Sequence, residues 1–278
     1  MKKSAPSLNR LVPLDKDFKS RKDYEQCLEA HQQTLLQIQQ ALFRTNERAI
    51  LVFEGPDASG KGGVIRRATQ WLDPRGFRVH AVGAPRAEEQ GRHYLWRFFQ
   101  HLPPPGRIAI FDRSWYGRVL VERVEELTNE SAWRRAYREI KEFERWLIDD
   151  GVRLCKVYLS IDRKEQDRRF EERLSNPRKY WKLTEEDIRN RLRWDDYNAA
   201  ADEMFQETHT KKAPWHLVDG RHKWRTRVHV LGLLCDVLGK GLDIEPPSVD
   251  PELLRAARIE LGLEVEDSLP ETPSSLKS

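Results

Sequence analysis

Apolar residues along this chain fall in short unbroken runs separated by longer amphipathic stretches, a pattern that predicts buried strands alternating with helices. Residues 49–53, Ala-Ile-Leu-Val-Phe, form the first run. Residues 77–82 alternate into a second, 107–112 form a third that ends in Asp112, 154–161 a fourth interrupted by Lys156, and 214–220 a fifth. Helical spacing predicts helices over 21–44, 64–71, 87–100, 131–149 and 221–238, with a short one near 251–261. Turn residues separate them at Asp73-Pro74-Arg75-Gly76, Pro103-Pro104-Pro105-Gly106 and Gly151. Two helices are expected to bury aromatic faces: Tyr94, Leu95, Trp96, Phe98 and Phe99 in one, Trp133, Tyr137, Phe143, Trp146 and Leu147 in the other. Strands alternating with helices make an α/β fold, a five-stranded parallel sheet flanked by helices that binds ligands at the carboxyl ends of its strands.

Between 162 and 201 the pattern changes, because Arg and Lys, Arg178 and Lys182 among them, alternate with many carboxylates. Such a segment is too polar for a central helix and is expected to form a basic helical lid. Two readings stay open: solvated, ion-paired helices, or a lid whose cations reach a polyanionic ligand. The remaining organisation is an irregular arm at 1–20, one domain at 21–240 and an extension at 241–278. Pro246-Pro247 and a Pro-, Ser-, Thr- and Glu-rich end after Glu266 mark the extension as a tail.

The chemistry concentrates where the first run meets the helix after it. Gly55-Pro56-Asp57-Ala58-Ser59-Gly60-Lys61-Gly62 matches the phosphate-loop pattern at every position except the last, and Gly63 follows. Gly55 and Gly60 allow backbone angles that turn successive N–H groups inward around phosphate oxygens at a helix N-terminus. Lys61 adds a mobile positive charge. Most such loops end in a Ser or Thr hydroxyl that meets Mg²⁺, so with Gly62 here a metal must find a carboxylate elsewhere. Asp57 is the candidate, since a negative charge beside bound phosphate is costly without a cation between them; the alternative is an Asx-turn or helix cap. Asp112, at the end of the third run, stands in the Walker B position. Arg113 and Arg118 follow it, placed either to hold an anionic ligand or to pair with nearby Glu122 and Glu125.

Composition changes this picture little. A charged fraction of 34% and a net charge of +4 over 278 residues describe a polar chain with interleaved signs, so nucleic acid is not expected as a partner. No apolar run is long enough to span a bilayer, and no apolar segment follows Lys2-Lys3 to make a secretory signal. Cys27, Cys155 and Cys235 lack metal or redox spacing and are expected as reduced thiols in a cytoplasmic protein. His80, His93 and His216 are expected to pack or face solvent. Chemistry alone leaves open a phosphoryl-transfer enzyme, such as an ATP-dependent kinase of a nucleotide or small metabolite, or a non-catalytic nucleotide or nucleic-acid binder.

Phe53 to Gly63, then Phe111-Asp112-Arg113-Ser114-Trp115-Tyr116, then Trp181-Lys182-Leu183 and Ala213-Pro214-Trp215 together resemble the family-2 polyphosphate kinases, over roughly residues 11–238. The resemblance implies a fold similar to thymidylate kinase and reversible phosphoryl transfer between inorganic polyphosphate and a nucleoside mono- or diphosphate, with Mg²⁺ or Mn²⁺. It implies that Asp57 and Asp112 hold metal and orient phosphate, and that Lys61, Arg113 and the loop residues Gly55, Pro56, Ala58, Ser59, Gly60, Gly62 and Gly63 hold phosphates. Arg118, Arg178 and Lys182 are carried over as further phosphate or nucleotide contacts. The segment from Asp112 to Arg123 is most similar to the branch that converts AMP to ADP, with ADP to ATP also open. Adenine or guanine nucleotides are the implied acceptors, and a homodimer or homotetramer is the implied assembly.

Overall fold

The computed structural model describes residues 4–15 and 17–262. Its strands are β1 (Arg48–Glu54), β2 (Phe77–Ala81), β3 (Ile108–Asp112), β4 (Val152–Ser160) and β5 (Trp215–Asp219). All pair in parallel, in the order β2-β3-β1-β4-β5. β1 is central because its side chains are apolar on both faces: Ala49, Leu51 and Phe53 enter one core, Ile50 and Val52 the other. The register sets Phe53 opposite Asp112 on one side and Val157 on the other. The chain leaves β1 for one side of the sheet and later returns to the other, so the crevice of a doubly wound sheet opens at the end of β1.

One layer is formed by α1 (Arg21–Thr45), α2 (Lys61–Thr69) and α9 (Lys223–Gly239) over an aliphatic core that includes Leu35, Ile38, Val64, Leu231 and Leu234. Ser20 starts α1 by accepting from the Asp23 amide, and Asn46 ends it in a left-handed conformation. The other layer contains α3 (Trp96–Phe99), α4 (Val121–Val124), α5 (Glu130–Asp149) and α8 (Trp194–Thr208). The stretch expected to be a lid holds α6 (Arg163–Leu174), a 3₁₀ turn at Pro177–Lys182, α7 (Glu185–Leu192) and the start of α8. The chain divides into a unit spanning Met1–Ile244 and one spanning Glu245–Ser278, which contains α10 (Pro251–Leu261), capped by Asp250. The polar end after Glu266 lies outside the described residues, as does the Met1-Lys2-Lys3 start. Among the described residues no helix is long and apolar enough to cross a membrane.

Two expectations are corrected. The helix at 87–100 is absent: a 3₁₀ turn at Ala87–Glu89 and the single turn of α3 replace it. Gly91 adopts φ +72° and turns the chain there. The residues before Tyr94 are too polar to bury a face, and only Leu95 and Phe98 reach the core. Trp146 is 52% exposed rather than buried. The buried face of α5 runs through Trp133, Tyr137, Ile140, Phe143, Glu144 and Leu147, and Trp146 falls outside that stripe.

The interruption at Lys156 has a partner. Lys156 Nζ, fully buried, donates to Glu144 Oε2 at 2.8 Å, to the Tyr116 hydroxyl at 2.9 Å and to the Thr208 carbonyl at 3.1 Å, which uses all three of its protons. Glu144 Oε1 accepts from the Tyr116 hydroxyl at 2.6 Å and from Trp115 Nε1 at 3.2 Å. The network therefore pins the Trp115-Tyr116 turn, one residue beyond Asp112 and Arg113, to β4 and α5. Glu144→Gln keeps the shape and removes the counter-charge from a buried ammonium, so unfolding free energy should fall by about 3 kcal/mol. Urea denaturation checks this against Glu130→Gln, whose exposed pair with Arg134 is worth less than about 1 kcal/mol.

Candidate active site

At the carboxyl end of β1 the chain turns through Gly55 (φ +136°), Ala58 (φ +62°) and Gly60 (φ +109°) before entering α2. Gly55 is required by contact as well as by angle, because a Cβ there would lie 2.2 Å from the Leu159 carbonyl oxygen. Ala58 holds a left-handed conformation that costs a non-glycine residue about 1–2 kcal/mol. It is held by α6, where Arg169 Nη1 donates to the Ala58 carbonyl at 2.7 Å and Gln166 Nε2 donates to the Asp57 carbonyl at 2.9 Å. Arg169 also donates to the Gly220 carbonyl at 2.7 Å, so one buried guanidinium ties the loop, α6 and the end of β5 together.

Lys61 folds back over the loop and donates to the carbonyls of Gly55 at 2.7 Å and Pro56 at 3.1 Å. Burial, with the Arg113 charge beside it, pulls its ammonium below the usual lysine range, while Asp57, Asp112 and Glu54 oppose that shift. Ser59 Oγ is buried without a hydrogen-bond partner, a donor and acceptor held ready inside the loop. A Cβ on Gly62 would meet nothing within 4 Å, so the missing hydroxyl of the phosphate-loop pattern is not a matter of space.

Asp57 neither caps α2, whose N-cap is Gly60, nor makes an Asx-turn. Its Oδ1 accepts from Arg113 Nη2 and its Oδ2 from Asn190 Nδ2 at 2.8 Å. Burial pushes the carboxyl up, but Arg113, Lys61 and the Asn190 amide outweigh it and hold Asp57 below the usual carboxylate range. Arg113 follows β3 in a left-handed turn (φ +63°), and its N–H donates to the Phe53 carbonyl at 3.0 Å. Its other arm meets Glu186 of α7 at 3.2 Å. Burial disfavours the Arg113 cation, but Asp57 and Glu186 raise its pKa above the usual arginine value.

Asp112 is half-buried and close enough to act on both Lys61 and Glu54. Glu54, the last residue of β1, was not legible as a site residue. Burial pushes its carboxyl up, and Ser114 Oγ donates to it at 2.8 Å.

The crevice continues into a cavity of about 620 Å³ whose walls include Gly83, Tyr94, Arg113, Arg118, Arg189 and Asn190. A cleft of about 70 Å³ beside the loop is lined by Glu54, Asp57, Arg113, Gln166, Asn190 and Tyr197, so Arg113 and Asn190 face both spaces.

A match to the family described as polyphosphate kinase 2 covers residues 18–243. The chain belongs to the polyphosphate kinase 2 family. It is 45% identical over 221 residues to a polyphosphate:AMP phosphotransferase of Pseudomonas syringae pv. tomato, an alignment covering 80% of this chain but only 44% of that relative's length. An ADP-polyphosphate phosphotransferase of Pseudomonas aeruginosa is 40% identical over 238 residues, covering 86% of this chain and 78% of the relative. The crystal structure of polyphosphate kinase 2 from Arthrobacter aurescens TC1 superimposes with a TM-score of 0.85 at 34% identity, over 93% of this chain and 94% of that one.

Within this polyphosphate kinase 2 fold, the other expected contacts divide. Arg118 lines the large cavity but is already paired, with Glu122 at 3.1 Å and Thr128 at 2.7 Å, and stacks over Tyr94. Arg178 and Lys182 stand in the exposed 3₁₀ turn, outside the lining of both spaces, with Lys182 over the 76%-exposed Trp181. Cross-helix pairs such as Arg191–Asp167, Arg163–Asp195 and Arg173–Asp187 occupy much of the basic segment. His80 stacks on His101 and Phe111, while His93 meets Glu139 and forms part of the wall of the large cavity.

Gln166, Asn190 and Tyr197 were missed, because a neutral amide or phenol carries no motif. Gly55→Ala should lose about 1–3 kcal/mol or more, whereas Gly62→Ala should leave the thermal unfolding midpoint unchanged or slightly raised, since alanine favours the helix it would join.

Proposed function

We propose that this protein transfers phosphoryl groups reversibly between inorganic polyphosphate and a nucleoside mono- or diphosphate. AMP to ADP is the favoured reaction and ADP to ATP the second. The observation that carries this reading is the meeting of Asp57, Lys61 and Arg113 at a glycine loop whose cleft shares Arg113 and Asn190 with a cavity of about 620 Å³. The Asp112–Arg123 segment and the AMP-specific name of the Pseudomonas syringae relative support AMP as acceptor.

In the forward direction a terminal phosphoanhydride bond of polyphosphate breaks and a P–O bond forms to the terminal phosphate oxygen of the nucleotide, leaving polyphosphate one unit shorter. Such a reaction asks a protein for in-line positioning and charge neutralisation rather than for a nucleophile. The loop amides and Lys61 hold phosphate once Lys61 exchanges its two carbonyl partners for phosphate oxygens. Arg113 lies where donor and acceptor meet, facing both the loop cleft and the large cavity.

The donor set suits a hard divalent ion. A carboxylate offers about four lone-pair positions, and Asp57 accepts one hydrogen bond on each oxygen, leaving room on both. Mg²⁺ and Mn²⁺ at phosphate sites are commonly bound through one or two carboxylates, with waters and substrate phosphates as the other ligands. Asp57 and Asp112 would hold the ion, and it would neutralise charge on the phosphates. We further propose that the enzyme is cytoplasmic and works as a homodimer or homotetramer.

Purified protein with Mg²⁺ and polyphosphate, offered AMP, ADP, GMP and GDP separately, should phosphorylate AMP fastest in a chromatographic assay. Asp57→Asn and Asp112→Asn should each keep the fold and abolish transfer. A wild-type protein that accepts ATP but not polyphosphate as donor is a different kinase.

A further inference from the structure

Asp57 receives two donors of different kinds. Arg113 brings charge, but it is shared with Glu186 and is drawn to any phosphate that enters. Asn190 brings a neutral amide from α7 to the other oxygen, at 2.8 Å. The other end of that amide is supported from behind: the Tyr197 hydroxyl lies 3.0 Å from Asn190 Oδ1 and 3.3 Å from Glu125 Oε1. Both are acceptors, so the phenol is the donor, and the shorter contact is to Asn190. Flipping the amide would set its carbonyl against the Asp57 carboxylate, so the charge of Asp57 selects the present orientation, in which Tyr197 donates to Asn190. A chain of contacts therefore runs from α8 through α7 into the phosphate loop.

We propose that Asn190 is a positioning residue for Asp57: its side-chain amide, supported by Tyr197, holds the carboxylate in one orientation and carries the seating of α7 into the phosphate loop. This rests on the reading above in which Asp57 holds a divalent ion. The neutrality of Asn190 is what suits it to the task. When a cation arrives, Arg113 is repelled, whereas Asn190 loses nothing and can keep its hydrogen bond while the free lone pairs of Asp57 face the ion. Hydrogen-bonded partners behind a metal ligand fix its orientation in this way, and removing one weakens metal binding by about 10–100-fold. Because Asn190 also lines the large cavity, the same residue reports to the loop whether α7 is in place over the acceptor side.

The test measures Mn²⁺ affinity directly, from the electron paramagnetic resonance signal of free Mn²⁺, without nucleotide or polyphosphate. Wild type, Asp57→Asn, Asn190→Ala and Tyr197→Phe are compared, with thermal unfolding as the check on folding. Asn190→Ala should weaken Mn²⁺ binding about tenfold, and Tyr197→Phe, which keeps the ring, should weaken it in the same direction by less. Turnover lost by Asn190→Ala at limiting Mn²⁺ should be recovered in part when Mn²⁺ is raised. If Asp57→Asn abolishes Mn²⁺ binding while Asn190→Ala and Tyr197→Phe bind it like wild type, Asn190 only packs the lid and the proposal is overturned alone. If wild type shows no Asp57-dependent Mn²⁺ binding, the metal role of Asp57 is overturned with it.

Discussion

A carboxylate in the phosphate loop that has given up most of its water must be compensated, and the compensation of Asp57 organises this end of the molecule. Its two oxygens draw in Arg113 from the turn after β3 and Asn190 from α7. Those segments are themselves fixed by deeper contacts. The turn after β3 is anchored through Trp115 and Tyr116 to Glu144 and Lys156, while the loop backbone is held by Gln166 and Arg169 of α6. Satisfying one charge thus recruits two separate stretches of chain, and α6 holds the backbone that carries it. Electrostatics alone would not place them so closely; the buried network below supplies the rigidity that makes the geometry single-valued.

The sheet was legible because each strand but β2 is an apolar run and each connection carries turn residues, so periodicity and punctuation agreed. The helix expected over 87–100 failed where these signals separated: its aromatics lie only in the second half, and Gly91 bends the first. Trp146 shows a related limit. Hydrophobic character places a residue near a core, but the angle around α5 decides whether it enters.

The candidate site was legible where it is local in sequence. Gly55 to Gly63 and Asp112-Arg113 lie in two short motifs, and the parallel pairing of β1 with β3 brings them together. Asn190, Tyr197 and Gln166 come from helices far along the chain, and nothing in their own neighbourhoods distinguishes them from other polar surface residues. The basic segment left two readings open in the sequence, because counting cations does not reveal which are already neutralised. Arg191, Arg163 and Arg173 face carboxylates on neighbouring helices, while Arg169 is spent on backbone carbonyls.

The two layers beside the sheet differ in kind. Trp115, Trp133 and Trp215 belong to the cluster that packs against α5 and α8, and no tryptophan belongs to the aliphatic cluster beneath α1, α2 and α9. Buried indole fluorescence therefore watches one half of the molecule. Emission from those buried indoles reports on the layer that carries the Glu144–Lys156 pair and the turn after β3, while the opposite layer speaks through part-exposed indoles such as Trp224, stacked on Tyr24 between α9 and α1.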